Sequence, residues 1–261
     1  MTDVSIKQNQ RKIKRLQKDY KLAKQTKHEN MWVDWEGDTL DKAFSIVVGP
    51  ENTPYNGGFY MFDFDFESVN YPFAPPKIKF TTILLSTPQL KTFNSYQTHK
   101  TARMNPNLYE NGFICLSLIG TWPKGDKWSS CYNIVSLSQH LKGILTDNPI
   151  QNEPGFRSEK IDSELATQYN FMLTHANLRI AVIDIIYNMP KKYEVFKPDI
   201  IKYFIDNFNS YVSICDEYEK HKWNKTIQFF SLFKWKEYID FSLLKKNIYK
   251  LKEDIENGIV K

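Results

Sequence analysis

The first period along the chain is helical. In KQNQRKIKRLQKDYKLAKQ (7–25), Ile13, Leu16, Tyr20 and Ala23 recur at i, i+3, i+7 and i+10, one stripe of an amphipathic helix. Arg11, Lys14, Arg15, Lys18 and Lys21 fall largely on the opposite arc. The period then becomes two. AFSIVV (43–48) is rich in strand formers and runs into the turn-forming GPENTPYNGG. In FYMFDFDF (59–66), Tyr60, Phe62, Phe64 and Phe66 share a face, with Asp63 and Asp65 on the other, which predicts a half-buried antiparallel strand. After YPFAPP, KIKFTT turns Ile78 and Phe80 inward against Lys77 and Lys79, completing a meander.

Residues 83–104 show no period and read as a loop long enough to invite a functional explanation. A helix is predicted over 131–146, with Ile134, Leu137, Leu141 and Leu145 on one side, and TDNPIQNEPGF is a loop. From about 158 the chain reads as helix throughout. Its stripes are Leu165, Tyr169, Met172 and Ala176; then Ile201, Phe204, Phe208, Tyr211 and Cys215; then Leu244, Ile248, Leu251 and Ile255. Strands in the first half and helices in the second predict an α+β fold, with a core over 1–156 and a helical extension over 157–261.

Charge sharpens one element. The net charge is +5, yet residues 1–27 hold nine Lys/Arg against two Asp, leaving −2 for the remainder. The basicity thus belongs to the first helix, as a solvated face, a docking surface for an acidic protein or a phosphate contact. Tyr20 is the helix's one aromatic residue, so base stacking has little to work with, and we expect no nucleic-acid partner. No apolar run reaches the length of a membrane helix and the N-terminus has no secretory pattern, so neither membrane nor export is expected. Three widely spaced cysteines fit a reducing compartment, cytoplasm or nucleus.

The common catalytic signatures are missing. The five histidines (28, 99, 140, 175 and 221) form no H-x-H or H-E-x-x-H pattern, no C-x-x-C occurs, and no metal site is expected. GPENTPYNGG lacks the G-K-[ST] of a phosphate loop, and no G-x-S-x-G is present. Of the cysteines, Cys215 lies on an apolar stripe, Cys131 opens a predicted helix, and Cys115 stands between Ile114 and Leu116. Residue types alone leave Cys115 open between core packing and nucleophile, including a Cys-His protease without an identified base.

The order of motifs changes that balance. GPENTPYNGGFYMFDFDF, YPFAPPKIKF, NPN (105–107), NGFICLSL, a tryptophan and NPIQNEP closely resemble the catalytic domain of ubiquitin-conjugating enzymes over about 125 residues. NPNLYENGFICLSLIGTW, NEPGF and NLRIAVIDII look most like the large members with helical C-terminal extensions. The resemblance implies an N-terminal helix, a four-stranded antiparallel meander, an active-site loop, a crossing helix and an all-helical extension. The family's His-Pro-Asn matches Asn105-Pro106-Asn107, and its active cysteine, eight residues on, matches Cys115.

By that resemblance, Cys115 would accept ubiquitin or a ubiquitin-like protein from an activating enzyme as a thioester and pass it to lysines of protein substrates. Asn107 would hold the loop and donate to the oxyanion. Glu153, just before Pro154, would position and desolvate the lysine, which must lose a proton, with Tyr109 and Asp147 as further candidates lining the groove. Lys7, Arg11, Lys14, Arg15 and Lys18 would dock the activating enzyme, and the loops of Phe73 and Trp128 a ligase. No cofactor is implied; the activating enzyme uses the ATP. Two departures stand out. Asn105 replaces the usual His, and Ser129-Ser130-Cys131 replaces the usual Ser-Pro-Ala, which weighs against ordinary RING-type ligases. The rival reading is a non-catalytic scaffold on the same fold, binding ubiquitin or a ligase; such variants typically lack the cysteine.

Overall fold

The computed structural model describes residues 3–25, 29–37, 40–68, 70–82 and 102–260; His28, and the 83–101 part of the aperiodic stretch with His99, lie outside them. Helix α1 (Asp3–Gln25) precedes strands β1 (Met31–Trp35), β2 (Lys42–Val48), β3 (Phe59–Asp65) and β4 (Lys77–Phe80). The strands pair antiparallel in chain order, with Phe62 opposite Ser45 on one side and Phe80 on the other. Helix α2 (Ile134–Gly143) packs on one face of this meander, where Ser138 Oγ donates to Ser45 Oγ at 2.9 Å. Asn133 caps it by accepting from the amides of Val135 and Ser136, so the helix starts after Cys131, which is exposed.

Two periodic readings shift against the structure. On α1 the buried line is Lys12, Leu16, Asp19 and Ala23, while Ile13 is 44% and Tyr20 37% exposed. The buried charges are paired across elements, which a hydrophobic pattern cannot register. Lys12 Nζ donates to Asp41 at 2.6 Å and to the Phe66 carbonyl at 3.2 Å, and Asp19 accepts from Tyr71 Oη at 2.5 Å. Strand β3 is not half-buried: Phe59, Tyr60, Met61 and Phe62 are all buried, as are Phe44 to Val48 in β2. The sheet is covered on both faces.

The extension supplies the second cover. Helix α3 (Glu164–Ala176) continues through a π-helical stretch, Asn177–Asp184, into a last turn, α4 (Ile185–Tyr187). Tyr193 and Phe196 then pack on Phe44, and Tyr203 packs on Phe59. Helices α5 (Lys197–Asp206) and α6 (Phe208–Glu219) follow, so the long stripe over 201–215 is broken at Asn207. The extension is not all helix. Residues 226–239 form a hairpin, β5 (Thr226–Phe230) and β6 (Trp235–Ile239), before α7 (Phe241–Glu256). Strand β5 alternates Gln228 and Phe230 inward with Ile227 and Phe229 outward, so polar and apolar residues do not sort to opposite faces. One hydrophobic cluster runs from Leu16 through the sheet to Leu251.

Candidate active site

The loop after Met104 folds back on itself. Leu108 N donates to the Asn105 carbonyl at 3.0 Å, Gly112 N to the Tyr109 carbonyl at 2.9 Å, and Cys115 N to the Asn107 carbonyl at 2.9 Å. This double turn sets Cys115 beside Asn107. Gly112 must be glycine: φ is 86°, and a Cβ there would lie 2.8 Å from the Phe80 carbonyl, which accepts no closer approach. Phe80 N donates to the Gly112 carbonyl at 2.9 Å, hanging the loop on β4. Beyond Cys115, Leu116 N donates to Thr121 Oγ1 at 2.8 Å, closing the short turn Ser117–Ile119.

Asn105 anchors the loop from beneath and is fully buried. Its Nδ2 donates to Tyr55 Oη at 2.6 Å and to the Ile144 carbonyl at 3.0 Å. Its Oδ1 accepts from Asn107 N at 2.9 Å and from Asn152 Nδ2 at 3.4 Å. Asn152 ends the turn Pro149–Asn152, and Glu153 follows it, so Asn105 fastens both walls of the site together.

Between those walls lies a groove of about 580 Å³, lined among others by Asn107, Tyr109, Cys115, Trp122, Glu153 and Arg157. The structure thus brings Cys115, Asn107, Glu153 and Tyr109 to one cleft. Asp147 is not among the lining residues; its carbonyl is taken by Asn170 Nδ2 at 3.0 Å. No histidine lines the groove among the described residues. Asn107 lines the groove, and its side chain makes no hydrogen bond among the described residues.

Burial pushes the Cys115 thiol up, the Arg103 cation pulls it down, and the Glu153 carboxylate pushes it further up. Burial likewise raises Glu153, with Arg103 opposing. Arg103, in the aperiodic stretch, is the residue the pattern missed. It lies between Ala102 and Met104, both buried, with nothing periodic to mark it. Cys215 is buried on its helix and pushed up to about 12, a packed and inert thiol. Among the described residues no cluster could hold a metal ion, and no helix is long and apolar enough to cross a membrane.

The remaining candidates lie away from the groove. Phe73 is 70% exposed, and Trp128 Nε1 donates to the Pro72 carbonyl at 2.7 Å, so the two loops adjoin. Lys7, Arg11, Lys14 and Lys18 are exposed on α1. Arg15 is not: its guanidinium donates to Asp19 and to the Ser130 and Tyr132 carbonyls, tying α1 to the loop before α2.

Comparison with known proteins meets this geometry. The family model for ubiquitin-conjugating enzymes matches residues 15–175. Ubiquitin-conjugating enzyme E2 Z of Danio rerio is 31% identical over 211 residues, 81% of this chain and 59% of the relative. The protein of the same name in Homo sapiens is 34% identical over 193 residues, 73% of this chain and 49% of the relative. Putative ubiquitin-conjugating enzyme E2 39 of Arabidopsis thaliana is 33% identical over 150 residues, 55% of this chain and 41% of the relative. The chain therefore spans about half the length of these relatives. The meander, Asn-Pro-Asn loop and crossing helix all lie inside the matched region, with the second half of α1, and the chain belongs to the ubiquitin-conjugating enzyme family.

Proposed function

We propose that this chain carries ubiquitin, or a ubiquitin-like modifier, as a thioester on Cys115 and transfers it to lysine amines. One observation carries the reading: Cys115, Asn107 and Glu153 converge on one groove that no histidine lines among the described residues. The Cys115 thiolate attacks the thioester on the activating enzyme, whose own cysteine leaves as thiolate. A lysine amine then attacks the carbonyl, and the Asn107 amide donates to the oxyanion. Collapse expels the Cys115 thiolate, and the amine's proton passes to Glu153. A thiol raised by burial, with no histidine lining its groove among the described residues, suits a carrier whose thioester must outlast water. A carboxyl raised by burial suits a proton acceptor. The exposed cations of α1 suit an acidic face on the activating enzyme.

The test uses the whole chain with an activating enzyme, ATP and ubiquitin, and a parallel arm with a ubiquitin-like modifier. Wild type is expected to form a thiol-reducible adduct that Cys115→Ala lacks; an adduct surviving on Cys115→Ala refutes the site. Glu153→Ala should load normally but discharge to free lysine about 10²-fold more slowly. Equal loss in both steps would sink its role.

A further inference from the structure

We propose that Arg103 is a positioning residue for this transfer: clamped between the cysteine loop and the tip of the C-terminal hairpin, it braces the groove wall and supplies the positive charge behind Cys115 and Glu153. The inference rests on the reading of Cys115 as the acyl carrier.

Arg103 is buried, and its guanidinium carbon lies 3.5 Å from the centroid of the Tyr109 ring, a close cation–π stack. Tyr109 lines the groove. From the other side Phe233, in the turn joining β5 and β6, comes within 5.4 Å. Arg103 Nη2 donates to the Pro106 carbonyl at 2.9 Å, and its own carbonyl accepts from Tyr169 Oη of α3 at 2.8 Å. One residue therefore touches the catalytic loop, helix α3 and the hairpin.

Fold stability does not account for a cation here. Its one close carboxylate among the described residues, Glu110, stands at 3.5 Å and is more than half exposed, while its buried Nε has no partner among them. A long apolar side chain would fill the place without that desolvation penalty. What the cation does supply is a field on Cys115 and Glu153, favouring the ionised form of each. Among the described residues, Tyr109, Tyr169, Glu110, Lys124 and Arg157 are further ionisable groups around them. The planar guanidinium also stiffens the Tyr109 wall, which an ammonium would do less well.

The experiment measures alkylation of the full chain by iodoacetamide from pH 6 to 10, followed at the Cys115 peptide by mass spectrometry. Arg103→Met keeps the bulk and loses the charge; Arg103→Gln also keeps a donor for the Pro106 carbonyl. Both should move the profile to higher pH and slow alkylation near neutrality by about 3- to 10-fold, because the rate follows the thiolate fraction. Profiles that superimpose on wild type overturn the electrostatic role. Phe233→Ala, which removes one jaw of the clamp, should slow discharge of the preloaded thioester to lysine by about 3-fold or more; unchanged discharge overturns the clamp. Wild type that never loads would refute carrier function, yet the alkylation profiles still decide whether Arg103 acts on Cys115.

Discussion

Asn105 occupies the place where the family usually has His, and its four contacts explain why an amide serves. The side chain donates twice, to Tyr55 and Ile144, and accepts from Asn107 and Asn152. A neutral imidazole has one donor and one acceptor, so it could not repeat this set. Asn105→Ala should therefore cost about 2 kcal/mol in chemical denaturation, the penalty for stranding a buried hydroxyl and amide. It should also slow thioester formation, since both groove walls hang on that residue. The grouping of Cys115 with Asn107 and Glu153 and the departure at Asn105 were legible in the sequence, because ordered motifs surround them. Arg103, Tyr55 and Asn152 were not, because each gains meaning only from a partner far along the chain, and Tyr55 lies 50 residues before Asn105.

Among the elements, periodicity hid the hairpin β5–β6, and a buried polar cluster holds it to α3. Glu237 of β6 accepts from Arg179 at 2.8 Å, from His175 Nδ1 at 3.0 Å and from Trp235 Nε1 at 2.9 Å. His175 Nε2 accepts from Asp240 N at 3.1 Å, which assigns the proton to Nδ1 and a neutral ring. Arg179 lies in the π-helical stretch, whose wider turn accompanies this charge in the core. Burial would raise Glu237, but Arg179 and His175 outweigh it and hold the carboxyl at about 2. Glu237→Gln should then destabilise the fold by about 3 kcal/mol at neutral pH, since it removes the negative charge that Arg179 is paired with.

Asp184 works with the opposite sign. Burial pushes it up to about 7 against an ordinary 3.8, with Arg179 opposing. The folded state holds that proton more tightly, so its stabilisation is complete below pH 3.8 and gone once the pH passes about 7. Asp184→Asn should flatten that part of the profile, as read by unfolding midpoints between pH 4 and 8. Helix α3 and α7 were readable from their stripes, because one face of each stays polar. Strand β1 was not: Trp32 on its outward side is as apolar as its inward neighbours.

Across the whole molecule, core and extension share one buried cluster, and the contacts between them are specific. Tyr60 Oη donates to Asn177 Oδ1 at 2.6 Å, Tyr211 Oη to the Gly57 carbonyl at 2.8 Å, and Tyr193 Oη to Asp63 at 2.7 Å. Asn177 approaches so closely that a Cβ on Gly58 would lie 1.9 Å from its Oδ1. A chain ended at residue 156 would leave Phe44, Ile46, Phe59 and Met61 on an open sheet face, a patch of the kind that drives aggregation. Size-exclusion chromatography of that truncation should show aggregate or an unfolded chain, and a soluble folded monomer would refute the dependence. The α+β class was legible because strands and helices segregate along the chain. The interlock was not, because FYMF and SIVV read equally well as strands with one wet face.

That interlock also has a tempo. Phe80 is synthesised about 116 residues before Phe196, roughly 6 to 23 s at ordinary elongation rates. For that interval β2 and β3 are synthesised with no partner for their outer face. The nascent chain must then be shielded while it waits, and codons or chaperones that alter the wait would change the yield of folded protein without touching a residue of the site.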